Sequence, residues 1–261
     1  MKLITLTSDL GTKDSYLASI KGAIYSELEN VNIIDINNNI PPFDILSAAY
    51  VLRNCYKDFP IGTIHIISID DELTISNEHL AVFSNGHYFL GADNGFFSLL
   101  FNEENPELIF RIDMPLKSNS MTFAFKNVFV PAACHIARGG TLEIIGKKVD
   151  NFKVNKMELK PVTQNNIIRG AIIYVDNYGN ATTNIKKEEF LKLKKDKRFM
   201  ILFGREDNII NTISKQYNDV EMGEKLAIFG ENNYLQISIN KGMANRLLGL
   251  NMHETVRIEF I

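Results

Sequence analysis

Ser8-Asp9-Leu10-Gly11-Thr12-Lys13-Asp14-Ser15 is a polar turn set between the apolar run Leu3 to Thr7 and the helix-like stretch Tyr16 to Leu28. That order predicts a strand, a tight turn and a helix start. In an open α/β sheet, ligands sit just outside the carboxyl ends of strands, so Asp9 and Asp14 stand where a small molecule would be held. Ser8 and Asp9 also read as ordinary helix caps, because short polar side chains satisfy the free N–H groups of a helix start. The rest of the chain has to separate these readings.

Working outward, apolar runs at Leu3 to Thr7, Val31 to Ile36, Thr63 to Ile69, Leu80 to Ser84, Tyr88 to Ala92 and Leu108 to Ile112 predict strands. Several are too uniformly apolar for a sheet with one wet face. Helical patterns alternate with them at Tyr16 to Leu28, Asp44 to Asp58, Gly95 to Phe101 and Asn127 to Arg138, and Asp44 is placed to cap the second. Alternation of this kind predicts an α/β/α domain with a largely parallel sheet over residues 1–160. The pattern breaks in the Asn- and Lys-rich stretch Asp150 to Gln164, which reads as a linker. Beyond it, runs at Ile167 to Val175, Arg198 to Phe203, Lys225 to Phe229, Tyr234 to Ile239 and Glu254 to Ile261, with one short helix at Lys187 to Leu193, predict a smaller all-β barrel or sandwich over residues 165–261.

A length of 261 residues and 45% hydrophobic content suffice for packed cores in both parts. The formal charge of −3 and the absence of a basic block leave no electrostatic footprint for nucleic acid. Lys186 to Lys197 is interleaved with Glu and Leu and reads as the solvated face of a helix. Cys55 and Cys134 are far apart in apolar surroundings, as expected of thiols in a reducing compartment. No apolar run approaches the ~20 residues needed to span a bilayer, and no signal-type start is visible. A cytoplasmic protein with no membrane partner, no metal and no cofactor is expected.

A second polar turn, Asp176-Asn177-Tyr178-Gly179-Asn180 followed by Ala181-Thr182-Thr183-Asn184, comes after the Ile167 to Val175 run. It reads as a hairpin loop, since Asn and Gly enter left-handed conformations cheaply. It also reads as a recognition turn: an amide can bond the edge of a base, and an aromatic ring can stack on its face. A third cluster, Asp93-Asn94-Gly95, is on its own a capped turn.

Taken in order, Ser8-Asp9-Leu10-Gly11 with Asp14 and Tyr16, Lys21-Gly22, Ile40-Pro41-Pro42-Phe43-Asp44, Asp93-Asn94-Gly95, Phe129-Val130-Pro131-Ala132-Ala133 and Asp176-Asn177-Tyr178-Gly179-Asn180 with Thr183-Asn184 closely resemble the S-adenosylmethionine hydroxide adenosyltransferase family, relatives of the fluorinating and chlorinating enzymes. The resemblance runs from Leu3 to about Leu250. It implies an N-terminal α/β domain, a C-terminal β-barrel, and a homotrimer whose sites lie between one subunit's N-domain and its neighbour's C-domain. It implies S-adenosylmethionine (SAM) or adenosine as the small-molecule partner. Asp9 would clamp the ribose hydroxyls, Asp14 would meet the methionine ammonium, and Phe43 would pack beside ribose or adenine. Asp176 would hold the methionine end, Asn180 would bond adenine, and Tyr178 and Tyr217 would line or stack on the base. The implied reaction is in-line displacement at the ribose 5′ carbon, with water entering and methionine leaving as a neutral thioether.

The water-handling segments depart from the family pattern. Ile69-Asp70-Asp71-Glu72-Leu73-Thr74-Ile75-Ser76-Asn77 aligns to V-D-P-G-V-G-x-x-R, keeping Asp70 as the catalytic carboxylate but placing Asn77 at the Arg. Thr122-Phe123-Ala124-Phe125-Lys126-Asn127 aligns to T-F-H-G-R-D, placing Ala124 at the His and Phe125 where a large ring would face the reacting atoms. Glu231 falls where a Ser normally meets the methionine carboxylate. Asp71 and Glu72 read as a solvated loop, or as charges that raise a neighbour's pKa. His79 reads as a surface residue at a strand entry, and His65 and His135 as core or interface histidines. Two functions are therefore expected in competition: a SAM hydrolase acting through Asp70, and a weakened relative that binds SAM or adenosine without turnover. Ala124-Phe125 does not reproduce the Tyr-Ser pair of the fluorinating relatives, which counts against a halide nucleophile.

Overall fold

The computed structural model describes residues 2–101, 104–114, 123–155, 160–204 and 208–261. Thr122 of the second water-handling segment and residues 156–159 of the expected linker lie outside them. The chain divides into two compact units, Met1–Lys156 and Met157–Ile261.

The first unit holds strands β1 (Lys2–Ser8), β2 (Val31–Asn37), β3 (Ile64–Ser68), β4 (His79–Ser84), β5 (His87–Ala92), β6 (Leu108–Ile112) and β7 (Gly146–Lys148). Its helices are α1 (Tyr16–Glu27), α2 (Ile45–Arg53), α3 (Phe96–Phe101), α4 (Val130–Ala137) and α5 (Leu142–Ile145). The sheet order is β2-β1-β3-β5-β4-β6-β7. Strands β2, β1, β3 and β5 pair in parallel, and β4 is antiparallel to both β5 and β6, so five of the seven run in one direction. The reversal at β4 and β5 is local chemistry: Asn85 and Gly86 both take positive φ, the two-residue turn that suits a hairpin's twist.

The uniformly apolar strands are explained by cover on both faces. Ile4, Leu6, Ile64 and Ile66 pack with Ile20 and Ile24 of α1 and Ala132, Ala133 and Ile136 of α4. Ile67, Ile69, Val82 and Phe89 pack with Ala48, Ala49 and Leu52 of α2 and Phe97 and Phe101 of α3. Because β1 lies between β2 and β3, the chain leaves it toward one side and returns on the other. The carboxyl ends of β1 and β3 thus flank a topological switch point, where a crevice forms.

A buried polar chain lies inside this unit. Thr5 Oγ1 stands 2.7 Å from His65 Nδ1, and His65 Nε2 stands 3.2 Å from His87 Nδ1. His65 also stacks on Phe89. His65 is thus the core histidine its apolar strand predicted. Burial, then the neighbouring His87, pushes its pKa down to about 3, and burial lowers that of His87 as well. A depressed histidine pKa means that the unfolded chain takes up the proton first. Stability is whole above the unfolded pKa near 6.5 and falls as pH drops below it, by up to about 1.4 kcal/mol per pH unit for each such group. Urea midpoints measured between pH 7 and pH 4.5 are expected to decline, with a flatter slope in His65→Gln; an equal slope in the two proteins refutes this source.

The second unit holds β8 (Val162–Gln164), β9 (Ile167–Val175), β10 (Ala181–Lys186), β11 (Phe199–Phe203), β12 (Ile209–Ile210), β13 (Lys225–Phe229), β14 (Tyr234–Ile239) and β15 (Thr255–Phe260). They form an antiparallel sheet ordered β12-β11-β15-β9-β10-β14-β13, with β8 on β9. The end strands approach through Lys225 Nζ donating to Asn208 Oδ1 at 3.2 Å and Ser214 N–H donating to Ala227 O at 2.8 Å, which makes the sheet a nearly closed barrel. Its interior holds Ile168, Ile172, Ile201, Ile237, Val256 and Ile258.

Three expectations change. Among its described residues the second unit carries two α-helices rather than one: α6 (Lys187–Lys194) and α7 (Ala244–Leu248), the latter ended by Gly249 at φ 68. Thr182-Thr183-Asn184 is buried strand, not turn. Its polarity hid it, yet each group is bonded: Thr183 Oγ–H donates to Leu235 O, and Ala171 N–H donates to Asn184 Oδ1. The described part of the linker is also docked rather than free. Phe152 packs on Phe97 and Phe101, Lys153 N–H donates to Asp93 Oδ1, and Asn155 N–H donates to Ser98 Oγ.

Candidate active site

In the first unit, the turn after β1 is not a helix cap. Helix α1 begins only at Tyr16, with Ser15 as its N-cap. Ser8 Oγ–H donates to Asn38 Oδ1 at 2.7 Å, and Asp9 Oδ2 accepts from Phe43 N–H at 2.9 Å. Gly11, at φ 71, lets its N–H reach Asn38 O at 2.7 Å and closes the turn against the chain after β2. Asp9 is half-buried, whereas Asp14 is exposed.

Phe43 sits at φ 65 with 72% of its surface exposed. A bulky residue in the left-handed region costs about 1–3 kcal/mol, and such strain persists where the surroundings enforce it. Here Asp44 caps α2 through Ser47 N–H and Oγ–H, and Asp9 holds the Phe43 amide. Phe43→Gly relieves the strain while removing an exposed ring. Stability within about 1 kcal/mol of the parent is expected. Thermal melts check it.

The turn after β3 brings the acidic run to the same crevice. Ser8 and Ser68 are register partners, and Asp9 N–H donates to Ser68 O at 3.4 Å. Asp70 is exposed and left-handed at φ 45, and its carbonyl accepts from Asn77 Nδ2 at 2.9 Å and Asn94 Nδ2 at 3.2 Å. Asp71 is half-buried rather than fully solvated as expected, and Glu72 is exposed. Asp71 Oδ2 accepts from Ser68 Oγ–H at 2.6 Å. Burial raises the Asp71 pKa, the Ser68 hydroxyl and His79 work against that, and the charge of Asp9 adds to it.

Four further expectations meet the structure here. Asn77, at the family's Arg position, braces the loop, donating to Asp70 O and to Glu72 O at 3.0 Å. Asn94 braces it too, donating to Ile69 O at 2.8 Å while capping α3. His79 is buried rather than at the surface: its Nε2 lies 2.8 Å from Asp71 O, its ring edge meets Phe129, and burial lowers its pKa. The Phe125 ring packs inward. It is fully buried in the core that contains Leu6 and Ile20, within a π turn (Phe125–Phe129) leading into α4.

In the second unit, Asp176 organises its turn. Its Oδ1 accepts from Tyr178 N–H and Asn180 N–H, both at 2.9 Å, and its Oδ2 accepts from Asn180 Nδ2 at 2.8 Å. The turn closes a hairpin between β9 and β10, as its hairpin-loop reading expects. It opens on a cleft of about 810 Å³ lined by Asp176, Tyr178, Asn180 and Tyr217. Tyr178 is 75% exposed and Tyr217 45% exposed, with the Tyr217 hydroxyl donating to Gln236 Oε1 at 2.8 Å. Burial and then the charge of Asp176 raise the Tyr217 pKa. Lys241 and Met243 also line the cleft, and sequence reasoning missed them. Their only local signal is the Asn240-Lys241-Gly242 turn after β14, with Lys241 at φ 56.

These features define an α/β unit with carboxylates at its switch point, joined in sequence to a barrel with an aromatic cleft. Family models described as the SAM hydroxide adenosyltransferase N-terminal and C-terminal domains match residues 4–146 and 170–257, and the chain belongs to that family. It is 28% identical to an (R)-S-adenosyl-L-methionine hydrolase of Methanocaldococcus jannaschii, covering 99% of this chain and 96% of that one. It is 25% identical to a protein of the same name from Thermus thermophilus, over 99% and 100%. It is 22% identical to a fluorinase of an Actinoplanes species, over 73% and 74%. A crystal structure of a conserved protein from Thermotoga maritima superposes with a TM-score of 0.89 at 29% identity, covering 98% and 99% of the two chains.

Proposed function

We propose that this protein hydrolyses SAM to adenosine and methionine by in-line displacement at the ribose 5′ carbon. The observation that carries the reading is the convergence of Asp9, the Phe43 amide and the acidic turn after β3 at one switch point. Asp9 Oδ2 is held by Phe43, which leaves Oδ1 to accept from the ribose diol. Asp14 meets the methionine ammonium, and Phe43 covers the ribose or adenine. On the barrel, the Asn180 amide N–H₂ is engaged by Asp176, so its carbonyl oxygen is oriented to accept from the adenine amino group. Tyr178 and Tyr217 stack on the base, Asp176 holds the methionine end, and Lys241 supplies positive charge for the methionine carboxylate. The sulfonium is already a good leaving group, so the protein's work is to align water opposite sulfur and to take its proton, a task that falls to the turn containing Asp70 and Asp71.

The resemblance that names the substrate also implies a homotrimer, and light scattering that reads one chain's mass overturns that part. Two unbridged thiols, Cys55 and Cys134, suit the cytoplasm. No described helix is long and apolar enough to cross a membrane.

One observation favours a second reading, a SAM- or adenosine-binding protein: Ala124, buried at the family's His position, offers no titratable group. Prolonged incubation with SAM, with adenosine and methionine quantified by chromatography, decides between them. Equimolar release that disappears in the double variant Asp70→Asn/Asp71→Asn establishes the hydrolase. Retained nucleoside without release establishes the binding protein.

A further inference from the structure

We infer that Asp71, rather than Asp70, is the carboxylate that accepts the proton of the attacking water. The inference rests on the hydrolytic reading above and divides the acidic turn between two jobs. Asp70 makes the corner. Its backbone is left-handed, a conformation that Asp tolerates better than most residues, its carbonyl is pinned by two asparagine amides, and its side chain is exposed. The corner redirects the chain so that the next carboxylate folds back over the end of β3, where Ser68 Oγ–H meets it at 2.6 Å. The Asp71 carbonyl is fixed in turn by the His79 ring 2.8 Å away. Side chain and backbone are therefore both tied to the sheet, whereas the carboxylate of Asp70 is exposed to solvent.

Position and chemistry agree. Ser68 pairs in register with Ser8, the residue before the proposed ribose clamp, so Asp71 is anchored beside Asp9 across two adjacent strand ends. The groups that face it are Ser68 on β3, His79 on β4 and Asp9 at the end of β1. A carboxylate withdrawn from water and placed near a like charge is a better base near neutrality than an exposed one. Asp71 also answers a difficulty of the alignment. It stands where the family has Pro, so a comparison by position passes over it.

The step balances. Water oxygen bonds to the 5′ carbon as its proton passes to Asp71 Oδ1. The carbon–sulfur bond breaks with both electrons going to sulfur, and Asp71 later releases the proton to solvent. Steady-state kinetics over pH 5–9 with Asp71→Asn, Asp70→Asn and Ser68→Ala test the assignment. Asp71→Asn is expected to lower kcat by about 10²–10⁴-fold, with SAM affinity in calorimetric titration changed less than threefold. Asp70→Asn is expected to lower kcat less than tenfold and to keep the acid limb of the profile. Ser68→Ala removes a bond that favours the charged form, so the acid limb moves to higher pH, a change that a purely structural serine would not produce. Loss of kcat in Asp70→Asn with near-parental Asp71→Asn overturns the inference and leaves the hydrolase standing. A parent protein that releases no adenosine removes both.

Discussion

Asp9→Ala is expected to lower kcat/KM for SAM by about 10²–10³-fold while shifting the melting temperature little. A hydrogen bond to a charged group contributes about 1.5–3 kcal/mol, and a cis-diol gives two of them to one carboxylate. The same change releases the Phe43 amide, so the ring proposed to flank the ribose loses its anchor. Asp9→Asn separates the two contributions. Its side-chain oxygen can still accept from Phe43 N–H, so the loop persists, while the charge proposed to face the diol is gone; a fall of about tenfold is expected. Both variants also remove a negative charge that raises the Asp71 pKa, so the acid limb of the kcat profile moves to lower pH. Steady-state kinetics across pH check all three statements, and unchanged kcat/KM in Asp9→Ala would remove the ribose clamp from the proposal.

Gly179→Ala is expected to destabilise the second unit by about 2–4 kcal/mol and to distort the turn that lines its cleft. Gly179 has φ 79, which costs about 1–2 kcal/mol for an L side chain. A Cβ there would stand 2.5 Å from Asn245 Oδ1 and 2.9 Å from the Met243 Cα, and backbone of that kind does not yield without moving the turn. Gly179 O accepts from Asn245 N–H at 2.9 Å, so a shift propagates to the start of α7. Asp176, Tyr178 and Asn180 share the same turn and move with it. Gly223→Ala is the control: it has φ 89 with nothing within 4 Å of its Cβ, and only the conformational cost applies. Denaturant unfolding that finds equal losses in the two variants refutes the steric argument.

Much of the first unit was legible because its signals are local. Uniformly apolar strands, helical spacing between them, and a polar turn directly after β1 are properties of neighbouring residues, and they predicted the layers and the position of Asp9. The barrel was less legible. Strand β10 carries Thr182, Thr183 and Asn184, whose polarity reads as loop until their partners on β9 and β14 are known. The short α7 and the pair α5 and β7 lack the length at which periodicity speaks.

The amino-acid order alone determined the alternating α/β layer, the all-β second part, the two Asp-bearing turns, and a resemblance strong enough to name a substrate. Those are matters of spacing along the chain. What only the tertiary structure decided is which side chains those turns turn inward. Asp71 became half-buried and His79 buried while Asp70 was left exposed, Phe125 entered the core, and Tyr217 came to the edge of the Asp176 cleft. The reason is physical: burial, register and the charge felt by a carboxylate are set by residues distant in sequence, and a single left-handed residue at position 70 turns the chain so that the next acid bonds Ser68.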